Sequence, residues 1–356
     1  MDDTREAYML AAVYSGAGKV ECMDIPKPRV GDDDVLVKVK AAAICGTDLR
    51  IFKSGHFAIK EGEQRILGHE FCGEVSEVGT NVKAYRKGMK VSVAPNVGCG
   101  ACRACRMGNI HLCPEYIAIG ISLDGGFAEY FKVPHKALLQ GNLMPFDADT
   151  PFVEAALAEP LACCYNALLS VGTKPGDNVL IVGAGPMGAL HLQLNRLAGA
   201  SRAMIADISE QRLDLMKRFN PDVIINSGKS DLKEAVMEHT GGLGADVVIT
   251  ACPAPDIQKL AVELTAKLGR INLFGGLPRG KEHVAINTNL IHYNGIILTG
   301  TTGASLAHHQ SALGLIVDGK MDTAPIISKR FGIDEVKKAF DYALSGEGLK
   351  TVIEFE

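Results

Sequence analysis

The sequence has no run of Lys and Arg long enough to build a basic field, and its formal net charge is -4. Such a chain has nothing with which to hold a polyanion, so nucleic acid is not expected as a partner. No uninterrupted apolar run reaches the roughly 18 residues of a membrane span. The opening residues, Met1 to Arg5, are polar and lack the apolar core of a secretory leader. A cytoplasmic protein without a membrane partner is expected. There is also no internal repeat and no low-complexity segment, so neither a repeat array nor a disordered tract is expected.

What is present is ordinary globular material. The 356 residues are 47% hydrophobic and 22% charged, enough for two domains at about 150 residues each. Ten cysteines in a reducing compartment read as thiols or metal ligands rather than a disulfide framework.

The rhythm of the chain changes near residue 178. Before it, β-like runs such as Val35 to Lys40 and Phe127 to Phe131 alternate with Gly, Pro and Asp clusters, which predicts a β-rich lobe. After it, short apolar strands alternate with helical patterns: Asn178 to Val182, Ala203 to Asp207, Val223 to Ile225, Asp246 to Thr250 and Arg270 to Phe274. Strands separated by helix-length segments predict right-handed crossovers and a doubly wound parallel sheet, giving an α/β chain. The closing region offers helices over Leu306 to Val317 and Ile333 to Leu344 and a strand over Thr351 to Phe355.

The first strand of the second half runs directly into Gly183-Ala184-Gly185-Pro186-Met187-Gly188. In a dinucleotide fingerprint, Gly183 permits the tight turn, Gly185 lets the backbone approach a pyrophosphate, and Gly188 lets helix and strand pack closely. Pro186 and Met187 open the helix whose positive end receives the phosphates. Asp207 ends the next strand, where a carboxylate takes ribose hydroxyls and repels a 2'-phosphate, so NAD is expected rather than NADP. Arg212 is a candidate to lie over the adenine, or is simply a solvated helix charge.

Cys99, Cys102, Cys105 and Cys113 are spaced C-x2-C-x2-C-x7-C. Four thiolates close a tetrahedron around zinc and leave no open position, which describes a structural site; an iron–sulfur cluster takes the same ligands. Catalytic candidates lie elsewhere, in Cys45-Gly46-Thr47-Asp48, Gly68-His69-Glu70 and Ala158-Glu159-Pro160-Leu161-Ala162. One thiolate, one imidazole and one carboxylate make three ligands with a fourth position left for water or substrate.

Together these motifs, with Gly125 to Tyr130 and Gly348-Leu349-Lys350, resemble the zinc-dependent medium-chain dehydrogenase/reductase family, and particularly its sorbitol dehydrogenase-like, polyol-oxidising branch. The resemblance spans nearly the whole chain. It implies a GroES-like β-rich catalytic domain over 1–153 and 296–356, and a Rossmann NAD-binding domain over 154–295. It also implies two Zn2+ per chain, one structural and one catalytic. Cys45, His69 and Glu159 would hold the catalytic ion, Glu70 would be a transient or outer ligand, and Asp48 would orient His69. Thr47 would touch the substrate hydroxyl and begin a proton path, with zinc acidifying the alcohol and NAD+ taking the hydride. Homodimers or homotetramers are usual in the family, and Ile296 to Leu298 is a candidate edge strand across a dimer.

One position departs from the pattern. Many family members carry a His five residues after the first ligand, and here Arg50 stands there; Arg does not act as a base at ordinary pH. The relay then ends at ordered water, or Arg50 attracts an anionic group, or it is an ordinary surface charge. The Glu159 segment favours a polyol or polyol phosphate as substrate, with Arg50, Lys53 and His56 as candidate contacts. The alternative is an amino alcohol such as threonine; from another class comes a noncatalytic dinucleotide-binding redox sensor. Ser305 reads as a helix N-cap and His308 and His309 as helix-surface residues.

Overall fold

The computed structural model describes residues 7–146 and 149–356; the polar opening pentapeptide, Met1 to Arg5, lies outside them. Contacts divide the chain into two units, Met1–Ala162 with Ala304–Glu356, and Cys163–Gly303.

In the first unit the strand Val35–Ala43 is the organising element. It is buried along almost its whole length, as its Val and Ala content requires of a strand covered on both faces. On one side it pairs antiparallel with Glu70–Val78, setting Ala43 opposite Glu70. Lys350–Glu354 also pairs antiparallel with it, setting Val352 opposite Ala43. Glu70, Lys350 and the residues just after Ala43 are thereby brought to one end of the sheet. The sheet continues outward through Lys90–Val93 and Leu143–Pro145 on one flank and Ile327–Gly332 on the other. A smaller sheet of Tyr8–Gly16, Lys19–Pro26 and Arg65–Ile66 helps enclose a core that includes Phe71, Phe127 and Phe340. Phe127 to Glu129 is not the regular strand expected from its pattern; that strand begins at Tyr130. Instead the Phe127 carbonyl accepts from Ala12 N at 2.8 Å and its own N–H donates to Leu67 at 3.0 Å, tying two sheets together.

The second unit carries six parallel strands: β1 Asn178–Val182, β2 Arg202–Asp207, β3 Val223–Asn226, β4 Ala245–Thr250, β5 Thr265–Leu273 and β6 Ile297–Gly300. Their order is β3-β2-β1-β4-β5-β6, a doubly wound sheet whose strand order reverses between β1 and β4. Leu180, Met204, Val248 and Ile271 are fully buried in its core. The expected strands are all present, although β5 begins at Thr265 rather than Arg270. By length and composition, the segment Phe152–Val171 could cross a membrane, but most of it is buried within the fold.

Candidate active site

The sheet end described above carries the candidate catalytic residues. Cys45 follows Val35–Ala43 and caps the helix Gly46–Ser54, its N–H held by Asp48 Oδ2 at 2.8 Å. His69 and Glu70 start the neighbouring strand. Gly68, just before them, has φ +95°, and a Cβ there would stand 2.6 Å from the Phe127 ring, so only glycine lets the chain turn His69 inward. One donor atom each from Cys45, His69 and Glu70 lies within 4.8 Å of the others. Asp48, fully buried, faces His69 with Oδ1 at 3.4 Å from Nδ1. A proton on Nδ1 then leaves the Nε2 lone pair for a metal, the second-sphere arrangement that ligating histidines need.

Lys350 was quoted above only as part of a motif, yet it enters this site. Its ammonium is 4% exposed and lies 2.7 Å from Glu70 Oε1 and 2.6 Å from Oε2. Burial works against its charge, but Glu70, Cys45 and Glu159 together outweigh burial and raise its pKa. Glu159, in the first turn of the helix Ala158–Val171 and 9% exposed, is thus close enough to act on Lys350, although it stands outside the group of three converging donors. Burial likewise disfavours a charged His69, and Asp48 and Cys45 overcome it, pushing its pKa well up. The same surroundings that favour a positive charge on His69 and Lys350 favour a bound cation, and S, N and O donors within 4.8 Å of one another fit a borderline-soft one such as zinc, which would take the place of the proton on His69 Nε2.

Thr47 is half-buried in the first turn of the same helix and accepts a hydrogen bond from Arg50 Nη2 at 3.2 Å. Arg50 and Lys53 are exposed. Burial, with Arg50 nearby, lowers the pKa of His56.

The four sulfurs of Cys99, Cys102, Cys105 and Cys113 also lie within 4.8 Å of one another. All are free thiols, and the Cys99 and Cys105 sulfurs are 4.0 Å apart, twice a disulfide length. Backbone N–H groups of Ala101 and Cys102 lower the Cys99 thiol to about 6, which prepares it as a thiolate ligand. Ser305 caps the helix Leu306–Val317 through His308 N at 3.2 Å, as expected. The two histidines differ from expectation. His308 is half-buried with its ring beside His111, and His309 is buried, bonded to Ser92 Oγ at 2.9 Å.

In the second unit Gly183 to Gly188 links β1 to the helix Pro186–Leu197, with Gly185 as N-cap and Pro186 in its first turn. A Cβ at Gly188 would lie 2.0 Å from the Gly183 carbonyl oxygen, which is the close helix–strand approach the fingerprint needs. Asp207 ends β2, and its carboxylate accepts from Ala184 N at 2.7 Å and Ser209 N at 2.9 Å. It is thereby fixed beside the glycine turn. Met187 is half-buried and Arg212 is exposed.

Residues 31–143 match the alcohol dehydrogenase GroES-like domain and residues 186–318 the zinc-binding dehydrogenase domain. The chain is 35% identical over 355 residues, 99% of each chain, to L-threonine 3-dehydrogenase of Pyrococcus furiosus. It is 33% identical over 329 residues, 92% of each, to the enzyme of that name from Caldanaerobacter subterraneus subsp. tengcongensis. The chain belongs to the zinc-binding alcohol dehydrogenase family. Among solved structures of the family, a zinc-binding dehydrogenase of Sinorhizobium meliloti, determined with NADP, superposes with TM-score 0.89 at 31% identity, covering 98% of this chain and 99% of that one.

The GroES-like and Rossmann folds, the dehydrogenase class, and the NAD and zinc cofactors expected from the sequence are those of the family. The polyol and polyol phosphate reading is corrected: near-full-length relatives at 30–35% identity are named L-threonine 3-dehydrogenases. The Glu159-Pro160-Leu161-Ala162 segment misled because a segment expected to supply a ligand would shape the metal's surroundings. Groups flanking the carbinol carbon choose the substrate, and those are scattered in sequence.

Proposed function

We propose that this dehydrogenase oxidises the secondary alcohol of a β-hydroxy-α-amino acid, with L-threonine as the substrate, to the β-keto acid, passing the hydride to NAD+ and releasing a proton. The observation that carries this reading is the 35% identity over 355 residues to an enzyme so named. When bound, zinc supplies a Lewis acid that acidifies the alcohol, and NAD+ supplies the hydride acceptor.

In this reading Cys45, His69 and Glu159 hold the catalytic zinc, and Glu70 stands beside it as an outer or transient ligand. Asp48 fixes the His69 ring, and Lys350 balances the carboxylates so that the site does not carry a surplus of buried negative charge. Thr47 accepts a hydrogen bond from the substrate's hydroxyl and begins the path by which its proton leaves to water. Cys99, Cys102, Cys105 and Cys113 hold the second zinc. Gly183, Gly185, Pro186, Met187 and Gly188 receive the pyrophosphate, Asp207 the adenosine ribose, and Arg212 the adenine. Ten free cysteines favour a reducing, cytoplasmic setting. The outermost strand β6, with Ile297 55% and Leu298 37% exposed, suits pairing with a second copy in a homodimer or homotetramer; a monomeric mass in solution would remove that assignment.

The test is NADH formation from L-threonine, compared with matched free polyols and before and after chelation and zinc reloading. Zinc-dependent turnover of L-threonine is expected, and turnover of polyols alone refutes the reading.

A further inference from the structure

Two buried carboxylates beside Cys45 are committed to other groups, while the helix that follows it carries two cations, Arg50 and Lys53, that among the described residues have no Asp or Glu bonded to them. Asp48 serves Cys45 N and His69, and Glu70 serves Lys350. Arg50 makes one hydrogen bond, from Nη2 to Thr47 Oγ1, and among the described residues no Asp or Glu pairs with it. A guanidinium has five N–H donors in a planar fork matched to a carboxylate. Most of that fork is therefore unused, and it is tethered to the hydroxyl that the proposed function sets against the reacting alcohol.

The distances close into a ring. Arg50 Nη2 is 3.2 Å from Thr47 Oγ1, and a hydroxyl hydrogen bond brings a substrate oxygen to about 2.7 Å from that same atom. In a β-hydroxy acid one carbon separates the carbinol carbon from the carboxylate carbon. Its hydroxyl and carboxylate oxygens then lie on the order of 3 to 4 Å apart by ordinary bond lengths. These lengths allow a substrate whose hydroxyl meets Thr47 to place its carboxylate within charge-assisted hydrogen-bond range of Arg50. A neutral alcohol leaves the guanidinium as it is. A longer spacing between hydroxyl and carboxylate would carry the anion past it.

We propose that Arg50 is a substrate-binding residue that receives the carboxylate of a β-hydroxy acid and so selects such acids, with or without an α-amino group, over alcohols that lack a carboxylate. The inference rests on the amino-acid reading of the site for its preferred substrate, but the carboxylate alone is what Arg50 recognises. Its place beside Thr47 gives the residue a function that does not require it to act as a base.

The experiment uses the zinc-loaded enzyme at saturating NAD+ with three substrates. These are L-threonine, 3-hydroxybutyrate, which lacks the amine, and 1-amino-2-propanol, which lacks the carboxylate. The quantity read is the ratio of kcat/KM for each acid to that for 1-amino-2-propanol, so differences in the folded fraction between preparations cancel. Arg50→Gln should lower both ratios by about tenfold or more, the loss expected for a charge-assisted contact, with the change falling mainly on KM. Arg50→Lys should recover part of it by restoring charge without the fork. If wild type oxidises L-threonine and Arg50→Gln depresses all three substrates equally, this inference alone is overturned. If wild type oxidises 3-hydroxybutyrate but not L-threonine and the ratio still falls in the variant, the amino-acid reading fails and the inference stands. Oxidation of 1-amino-2-propanol with neither acid overturns both.

Discussion

His191, on the helix that follows the glycine fingerprint, is completely buried, and neither ring nitrogen has a hydrogen-bond partner among the described residues. Its ring stands edge-on to Phe274 with centroids 4.5 Å apart. Burial lowers its pKa from 6.5 to about 3, so the folded protein holds it neutral where an unfolded chain would protonate it. The unfolded state then binds more protons, and stability must fall as pH falls. The contribution is complete above the ordinary value of 6.5 and is lost progressively toward 3. Proton linkage sets the loss at about 2 kcal/mol between about pH 8 and about pH 5. His191→Leu removes the titrating group and two unsatisfied polar atoms of a kind that cost about 1–3 kcal/mol when buried. The variant should therefore be at least as stable as wild type at the alkaline end, with its advantage growing by ~2 kcal/mol at the acid end. Urea unfolding followed by circular dichroism at both pH values measures this difference. Protonation of the proposed zinc ligands and of buried His309, itself lowered to about 4, is common to both chains and cancels. Parallel pH profiles for the two proteins would refute the reasoning.

Other consequences are equally direct. Lys350→Met leaves Glu70, 0% exposed, as an unpaired buried carboxylate and should cost about 3–5 kcal/mol. Adding Glu70→Gln should recover most of that loss in the same thermal denaturation, and no recovery would mean that the pair is not what the lysine contributes. Cys102→Ser should lower the zinc content measured by atomic absorption by one ion per chain while leaving metal at Cys45; loss of all metal would contradict two separate sites. Gly68→Ala combines a φ of +95° with a Cβ 2.6 Å from the Phe127 ring, and should cost ~3 kcal/mol or more. Pairing it with Phe127→Leu should relieve only the steric part.

The parts of this molecule that could be read without coordinates are those whose cause is local. Strand β1, the turn at Gly183 and the helix after Gly185 are contiguous, so one short segment contains the whole physical reason for its conformation. The same holds for the four cysteines, gathered into fifteen residues. Lys350 escaped because its partner Glu70 is 280 residues away: the ending Gly348-Leu349-Lys350 marked it as part of a motif, but not as the partner of a buried carboxylate. His309 was misplaced for a related reason: the polar face of a helix ordinarily meets water, and here Ser92, 217 residues distant, covers it. The substrate was misread from the Glu159 segment, which the proposed function sets beside the metal. Its carboxylate, by the inference above, is met by a residue on a different helix.

The strand Lys350–Glu354 also bears on how the protein is made. It lies inside the larger sheet, with Val35–Ala43 on one side and Ile327–Gly332 on the other. During synthesis Cys45, His69 and Glu70 emerge early, the whole of Cys163–Gly303 follows, and the strand that carries Lys350 comes later still. The nascent β-rich unit must wait with an unpaired strand and unneutralised carboxylates while the middle unit, whose strands are all in hand, is free to fold. A message cut short before residue 350 is therefore expected to yield a chain that has every strand of the middle unit but lacks the strand that pairs with Val35–Ala43 and brings Lys350 to Glu70.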